Sequence, residues 1–306
     1  MRIARFTHDG RTRLGVVDGD DVVDVGWRDA TLPSDLGPLL AAGGLARVGA
    51  LVAGAPRLPL AAVRLEAPIA RPPTFLAIGL NYRAHVEESS MAAPDAPVVV
   101  NKQVTCVGGP ADAVEVPTVA PTLVDYEGEL GIVIGTRCRT VPVDRAAEVV
   151  AGYLVVNDVS VRDWQRATPT MTMGKSWDTH GPIGPWMVTA DEIGDPHDLR
   201  IRTWVDGDLR QDSSTALMIH NCWEIIAHLS TAFTLLPGTI IATGTPAGVG
   251  YAMKPPRCLN AGMRVRVEID RIGAIDNPVV AQPVLAATDR APGRRSVPAG
   301  EQNTFA

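Results

Sequence analysis

Short strand-like runs dominate this chain and limit the folds open to it. Between residues 74 and 280 they include "TFLAIGL", "ELGIVIG", "AGYLVVNDVSV", "GPWMVT", "LRIRTWVDG", "GTIIATG" and "MRVRVEIDRIG", bounded by Gly, Pro, Asn or Asp. The clearest helix candidates are residues 144–151 and 219–233. Strands without regularly intervening helices favour a mixed, largely antiparallel β-roll or sandwich over a doubly wound sheet. The predicted class is therefore α+β and β-rich.

The pattern divides the chain into three parts. Residues 1 to about 55 alternate short strand-like runs with Gly/Asp turns and end in a Leu/Ala/Gly-rich helical stretch, and a proline-rich linker follows between residues 55 and 73. We predict a small N-terminal α+β domain at 1–70 and a β-roll domain at 71–280. The tail, 281–306, lacks periodicity and is expected to lie on the surface or on a partner subunit.

Charge and hydropathy exclude several classes of protein. The net charge of -6 and the absence of Lys/Arg clusters before the tail argue against a nucleic-acid partner. The chain has no apolar h-region at its start and no run of about eighteen apolar residues, so we expect no membrane association and a cytoplasmic location. The four cysteines form no C-x-x-C pair and are expected to be reduced thiols.

Three carboxylates flank apolar runs that read as strands. In "DYEGELGIVIG", Glu127 and Glu129 share one face of a strand, and Asp158 follows the next apolar run, "GYLVV". An all-oxygen set of this kind selects Mg²⁺, Mn²⁺ or Ca²⁺. A solvated sheet face is the alternative. The apolar flanks favour burial, where a cation would relieve the repulsion between like charges.

These residues belong to a longer pattern. The sequence resembles the fumarylacetoacetate hydrolase family over residues 74–280, through "GLNYRAHVEE", "VNKQ", "DYEGELGIVIG", "AGYLVVNDVSVRDWQ", "GKSWDTHGPIGPW", "DGDLRQDSSTALMI" and "LLPGTIIATGTPAGVG" in the family's order. The resemblance implies a mixed β-roll preceded by a small N-terminal domain. It also implies a divalent ion, Mg²⁺ or Mn²⁺ with Ca²⁺ as a further option, at Glu127, Glu129 and Asp158.

The resemblance assigns roles to Lys175 and Thr245, and two polar residues that follow Asp158 are further candidates. It implies that Lys175 faces the metal site and stabilises substrate carboxylate or enolate charge, although a lone loop lysine usually lies on the surface. It puts Thr245 at the pocket, where its hydroxyl and nearby backbone N–H groups can bind the substrate carboxylate. Arg162 and Gln165 are either anchors for the distal end of a substrate or part of a salt-bridge rim with Asp163.

The segment "NYRAHVEESSMAAPDAP" contains His85 and Glu88, which lie on one face of a helical turn. The residues alone favour a solvated pair on a mobile loop. In C–C hydrolases of the resembled family, the matching pair forms a dyad on a lid, in which the His is the base for a water molecule. His180 and His220 have no such context and are expected to be structural.

The resemblance implies a metal-dependent hydrolase of a 2,4-dioxo acid of the acylpyruvate type, acting on a small oxo-acid and assembled as a homodimer. Decarboxylation of oxaloacetate and isomerisation of an unsaturated dioxo acid would use the same metal site and stay open. A non-catalytic ligand-binding protein is the third hypothesis. It does not account for the His85 and Glu88 pair, because binding alone needs no base.

Overall fold

The computed structural model describes residues 1–283 of the 306 in the chain. The strands are β1 (Arg2–His8), β2 (Arg11–Asp18), β3 (Asp21–Val23), β4 (Arg57–Pro59), β5 (Arg64–Glu66), β6 (Phe75–Gly79), β7 (Val98–Lys102), β8 (Val107–Gly108), β9 (Val114–Val116), β10 (Val124–Asp125), β11 (Gly128–Ile134), β12 (Val150–Asn157), β13 (Ser160–Val161), β14 (Gly181–Thr189), β15 (Arg200–Val205), β16 (Asp208–Ser214), β17 (Ile240–Ala242), β18 (Arg264–Ile269) and β19 (Gly273–Ala281).

The helices are mostly short. They are α1 (Val25–Arg28), α2 (Leu36–Ala41), α3 (Leu45–Leu51), α4 (Arg83–Glu88), α5 (Arg162–Arg166), α6 (Thr172–Lys175), α7 (Ala190–Ile193) and α8 (Cys222–Ala232). Segments of 3₁₀ helix lie at Leu60–Ala62, Val104–Cys106, Val143–Val149, Thr215–Leu217 and Gly250–Ala252.

The strands form two sheets and a small ribbon. The larger sheet has 12 strands, with the path β4-β3-β2-β1-β14-β12-β11-β17-β6-β7, while β5 joins at β1 and β8 at β14. The second sheet has 5 strands in the order β16-β15-β18-β19-β9, and β10 pairs with β13. Only the pairs β17–β6, β14–β8 and β19–β9 are parallel in the described part of the chain. The β-rich, mixed α+β prediction is confirmed.

The centre of the larger sheet is covered on both sides. Every residue of β11 is buried. On one face Val133 belongs to a core that includes Leu36 of α2, and on the other Ile132 packs with Ile225 of α8 and Ile269 of the second sheet. Burial on both faces explains why β11 reads as a continuous apolar run. Any charge on this strand must therefore be compensated inside the protein.

The N-terminal strands continue the larger sheet. Strand β1 pairs with β14, where Arg2 lies opposite Val188 and Ile3 opposite Met187. The proline-rich stretch predicted as a linker contains β4 and β5, which pair with β3 and β1. Pro59 ends β4, a position where its missing N–H is tolerated. The domain boundary near residue 70 stays a prediction, and residues 284–306 of the predicted tail lie outside the described residues.

The two predicted helices have different outcomes. The candidate at 219–233 is α8, whose N-terminus is capped by Asn221: its side chain accepts the N–H groups of Trp223 and Glu224, while the Glu224 carboxylate accepts the Asn221 N–H. The candidate at 144–151 is wrong as an α-helix. It is a 3₁₀ segment that passes directly into β12 at Val150, since β-branched residues there favour the strand.

Candidate active site

Three carboxylates meet at one end of the β11–β12 pair. Gly128 pairs with Asn157 in the antiparallel register, and the Asp158 N–H donates to the Glu127 carbonyl at 2.8 Å, so these two residues face each other. Glu129 lies two residues after Glu127 and shares its face. One oxygen of each carboxylate lies within 4.8 Å of the others, and all three residues are buried. The structure thus brings the predicted ligand set together.

Two cations neutralise part of this cluster. Lys175 Nζ donates to Glu127 and to Asp158, at 2.5 and 2.7 Å. Arg162 Nη1 donates to the other Glu127 oxygen at 2.6 Å. Burial opposes ionisation of Glu127, but the charges of Lys175 and Arg162 outweigh burial and hold its pKa well below the usual range. Glu127 is therefore ionised.

Glu129 differs from its two neighbours, because it has no ionic partner within residues 1–283. Its carboxylate accepts the Gly244 N–H at 2.7 Å. Burial, together with the charges of Asp158 and Glu127, raises the pKa of Glu129 well above 4.5. Gly244 has φ +101°, and a Cβ there would lie 2.6 Å from the Cβ of Asn81, so the turn requires glycine.

The donor set fits a hard divalent cation. It consists of buried carboxylate oxygens only, without Cys or His, which is the chemistry that Mg²⁺, Mn²⁺ and Ca²⁺ prefer. Glu129 is the strongest argument for a bound cation, since no cationic side chain of residues 1–283 forms a salt bridge with its buried carboxylate. The residues that would hold a divalent ion are Glu127, Glu129 and Asp158.

A second buried lysine, absent from the predicted set, supports this cluster. Lys102, fully buried at the end of β7, donates to Asp158 at 2.6 Å and to the carbonyls of Lys175 and His180. It therefore fixes a carboxylate and the end of α6, where Lys175 lies in place of the loop position expected from the sequence. The sequence pattern could have predicted this burial. Side chains alternate between the two faces of β7, and Lys102 lies two residues after Val100 on the buried face.

Arg162 and Gln165 lie on one side of α5. Arg162 donates to Asp125 at 2.9 Å and to Glu127, and its Nη1 also reaches the Gln165 amide oxygen at 2.9 Å. Within residues 1–283, Arg162 forms no salt bridge with Asp163. Sequence reasoning missed Asp125, although it precedes the two glutamates at the same two-residue spacing. Arg162 thus pairs with the buried carboxylates Asp125 and Glu127. It does not take part in the alternative salt bridge with Asp163.

Thr245 lies in the wall of the site, and its hydroxyl is already used. The hydroxyl donates to the Gly128 carbonyl at 3.0 Å and accepts from the Gln211 amide at 2.8 Å. Gln211, also absent from the predicted set, accepts the Gly128 N–H at 3.0 Å. The Thr245 backbone N–H makes no hydrogen bond within residues 1–283. The hydroxyl is therefore engaged in the wall, while the backbone N–H has no partner in the described part of the chain.

His85 and Glu88 form a hydrogen-bonded pair on α4. His85 Nδ1 lies 2.7 Å from Glu88 Oε1, and the second Glu88 oxygen accepts the Gly248 N–H at 2.9 Å. The imidazole is mostly buried, and its Nε2 makes no hydrogen bond within residues 1–283. A carboxylate bonded to Nδ1 favours the tautomer that leaves Nε2 as an acceptor. Such an imidazole can take a proton from a water molecule.

Of the two histidines predicted to be structural, His180 has a buried contact of its own. Its Nε2 lies 2.7 Å from the Glu115 carbonyl, and burial lowers the pKa of His180 to about 4. All four cysteines are unpaired thiols. Burial raises the pKa of the Cys106 thiol to about 11, so this residue is no nucleophile at neutral pH.

All nine predicted site residues line one cavity of about 930 Å³. They are His85, Glu88, Glu127, Glu129, Asp158, Arg162, Gln165, Lys175 and Thr245. The wall of the cavity also contains apolar side chains, among them Val98, Val100, Met171 and Val249. A cavity of this size that combines apolar walls with a few polar groups suits a small organic acid.

Solved structures resemble this chain along nearly its whole length. The fumarylacetoacetate hydrolase from psychrophilic Exiguobacterium antarcticum is 39% identical with a TM-score of 0.84, over 92% of this chain and 100% of its own. The maleylpyruvate hydrolase from Sphingobium sp. SYK-6, solved with manganese(II) and pyruvate, is 34% identical with a TM-score of 0.78, over 92% and 100%. The 2-hydroxyhepta-2,4-diene-1,7-dioate isomerase from Mycobacterium marinum is 33% identical with a TM-score of 0.73, over 92% and 99%.

The sequence also matches a family model. Residues 74–280 match the model described as fumarylacetoacetate (FAA) hydrolase C-terminal, and residues 1–25 match a separate N-terminal model. Across residues 1–283, no helix has the length and apolar character needed to cross a membrane. The match over most of the chain, together with the similarity to solved members, shows that the chain belongs to the fumarylacetoacetate hydrolase family.

Proposed function

We propose that the protein is a divalent-metal-dependent hydrolase that cleaves a carbon–carbon bond in a 2,4-dioxo acid of the acylpyruvate type. The observation that carries this proposal is the His85–Glu88 pair, which opens onto the same cavity as the three carboxylates and Lys175. Hydrolysis requires an attacking water to lose a proton, and a base supplies that step. The Sphingobium maleylpyruvate hydrolase, solved with manganese(II) and pyruvate, supports the assignment.

In the proposed reaction, His85 is the general base. Its Nε2 takes a proton from water, the water oxygen bonds to the 4-oxo carbon, and Glu88 stabilises the imidazolium through Nδ1. The bond between C3 and C4 then breaks, and its electron pair stays on C3 as pyruvate enolate. The second product is a carboxylic acid. Protonation of C3 completes the formation of pyruvate.

The negative charge of the enolate needs compensation. When bound, a divalent ion held by Glu127, Glu129 and Asp158 would supply Lewis-acid stabilisation at the substrate oxygens. Lys175 adds a fixed positive charge beside the same carboxylates. The free N–H of Thr245 is the group that we propose receives the substrate carboxylate. We propose Mg²⁺ or Mn²⁺ as the ion, because both accept three carboxylates and retain positions for substrate.

A second candidate function is isomerisation of an unsaturated dioxo acid, which the similarity to the Mycobacterium marinum isomerase supports. Decarboxylation of oxaloacetate would use the same metal site. Decarboxylation needs neither an attacking water nor a base, so it leaves the His85–Glu88 pair without a role, and we rank it below hydrolysis. Isomerisation moves a proton along the carbon chain and can use the same base. We rank it second because the Sphingobium hydrolase, solved with manganese(II) and pyruvate, matches the proposed metal and product.

Purified protein should be assayed with acetylpyruvate and with oxaloacetate, each with Mg²⁺, with Mn²⁺ and after treatment with EDTA. The proposal predicts metal-dependent conversion of acetylpyruvate to acetate and pyruvate, measured by chromatography. Conversion of oxaloacetate without any conversion of acetylpyruvate would contradict the proposed hydrolase and favour the decarboxylase assignment. The homodimer and the cytoplasmic location implied by the resemblance stay predictions, the first testable by light scattering.

A further inference from the structure

The antiparallel ladder between β11 and β17 ends just before it reaches Gly128. Directly after β17, the Thr243 N–H still donates to the Leu130 carbonyl at 3.0 Å, as the register of the two strands requires. Two residues further along each strand, the same register would place Thr245 opposite Gly128 and bond its N–H to the Gly128 carbonyl. Within residues 1–283 that bond is absent, and the Thr245 N–H has no partner.

A glycine turn takes the backbone out of the ladder at this point. Gly244 has φ +101°, in the region that favours glycine, and its N–H donates to the Glu129 carboxylate at 2.7 Å. The turn thus supplies a donor to the acidic cluster. It also leaves the Gly128 peptide without a backbone partner on the side that faces β17.

Two side chains replace that missing partner. Gln211 Oε1 accepts the Gly128 N–H at 3.0 Å, and the Thr245 hydroxyl donates to the Gly128 carbonyl at 3.0 Å. Gln211 Nε2 closes the cycle by donating to the Thr245 hydroxyl oxygen and to the Pro246 carbonyl, both at 2.8 Å. Gln211 and Thr245 are both buried, so bulk water does not compete for these bonds.

The orientation of the Gln211 amide follows from its partners. The single hydrogen of the Thr245 hydroxyl goes to Gly128, so the hydroxyl oxygen accepts from Gln211, and the Pro246 carbonyl is an acceptor only. A flipped amide would turn its oxygen towards two acceptors and its NH₂ towards the Gly128 N–H. The cycle therefore has one arrangement, and the Thr245 backbone N–H takes no part in it.

We infer that Gln211 is a positioning residue for substrate binding: it takes the place of a backbone partner for Gly128 and so keeps the Thr245 N–H available for the substrate carboxylate. This inference rests on the proposed function, in which that N–H receives the carboxylate. Without the Gln211 amide, the Thr245 N–H can return to the Gly128 carbonyl, the bond that the strand register favours. The bound carboxylate would then lose one charge-assisted hydrogen bond.

Calorimetric titration of Gln211→Leu tests this inference. At saturating Mn²⁺, the affinity for oxalate should fall at least about tenfold, the effect of one charge-assisted hydrogen bond. The affinity for Mn²⁺ itself should change far less, because the side-chain hydrogen bonds of the three carboxylates do not involve Gln211. Retained Mn²⁺ binding also shows that the variant is folded. Gln103→Leu removes an exposed amide outside the cavity and is the matched control, with both affinities unchanged.

Kinetics and a double variant separate positioning from a purely structural role. A contact made equally in the ground state and the transition state affects KM, so Gln211→Leu should raise KM for acetylpyruvate about tenfold and change kcat little. Thr245→Val removes the hydroxyl from the cycle. Combined with Gln211→Leu, it should lower oxalate affinity no further than Gln211→Leu alone, since both changes act on one N–H. Thr245→Ser keeps the hydroxyl and should bind oxalate as wild type does.

Equal losses of oxalate and Mn²⁺ affinity, or additive losses in the double variant, would overturn the inference and leave Gln211 a structural residue. If Gln211→Leu does not fold, amide hydrogen exchange in the wild type decides. Oxalate should slow exchange of the Thr245 N–H, and exchange that oxalate leaves unchanged would overturn the inference. Failure of the wild type to cleave acetylpyruvate, with the oxalate results as expected, would contradict only the proposed hydrolysis.

Discussion

The ammonium group of Lys175 donates to both Glu127 and Asp158, and so joins one carboxylate just before β11 to another just after β12. The third member of the cluster, Glu129, has no such cation in the described part of the chain. Charge compensation in this site is therefore complete for two carboxylates and incomplete for one. The predictions on the metal and the reaction follow from that asymmetry.

Glu129→Gln should stabilise the metal-free protein and weaken metal binding. The pKa of Glu129 is raised, so the folded state binds its proton more tightly than the unfolded chain does. The stability of metal-free wild type should therefore fall as pH rises above 4.5 towards the raised pKa, and the amide should remove that fall. Urea unfolding across this pH range measures the effect.

Calorimetric titration with Mn²⁺ should show a loss of affinity on the order of 10²-fold or more for Glu129→Gln, since a charged ligand is gone. Glu148→Gln is the control. Glu148 is exposed and bonded to Arg145, which lowers its pKa, so this variant should gain no stability with rising pH and should bind Mn²⁺ normally. An unchanged Mn²⁺ affinity in Glu129→Gln would place the ion elsewhere.

Lys102→Met should be strongly destabilising. The substitution removes one of the two buried lysines that donate to Asp158 and leaves the carbonyls of Lys175 and His180 without this donor, so the loss of unfolding free energy should be about 3–5 kcal/mol. Lys254→Met, a change of the same kind at an exposed site, should alter stability by only about 0.5 kcal/mol. Chemical denaturation of the metal-free variants measures both. Equal small effects would show that the Lys102 contacts contribute little.

Lys175→Met should reduce turnover far more than metal affinity. Its positive charge is needed most when enolate charge develops, and the loss of one such contact lowers rates by roughly 10²-fold or more. The carboxylates that it releases, Glu127 and Asp158, remain available to the ion. Steady-state kinetics with acetylpyruvate and titration with Mn²⁺ give the two numbers. Near-normal turnover would make Lys175 a structural residue only.

Alternation along single strands was sufficient to predict much of the site. The spacing of Glu127 and Glu129 predicted their common face, and the next apolar run predicted Asp158 directly after the neighbouring strand. The same rule applied to Asp125, and to Lys102 after Val100, would have indicated two more buried charges. Their partners could not be predicted, because they come from α5, the end of α6 and the turn at Gly250.

Contacts between distant segments account for what sequence reasoning missed. Gln211 lies on β16 of the second sheet, yet it orients Thr245 and holds Gly128. Nothing near Gln211 in the sequence indicates that role. The pairing of β1 with β14 is likewise a contact between segments far apart in the sequence, with Arg2 opposite Val188, and local patterns did not predict it. Tertiary pairing of this kind has no local signature.

The central claim is that His85 activates a water molecule, and His85→Ala tests it most directly. The variant should retain Mn²⁺ and bind oxalate, an enolate mimic, with wild-type affinity, because the metal ligands and Lys175 are unchanged. His228→Ala removes an exposed imidazole on α8 and serves as the control, with full activity expected. Cleavage of acetylpyruvate by His85→Ala should fall by about 10²- to 10⁴-fold, the usual contribution of a general base. A wild-type cleavage rate in His85→Ala would contradict the base assignment and the hydrolase proposal that depends on it.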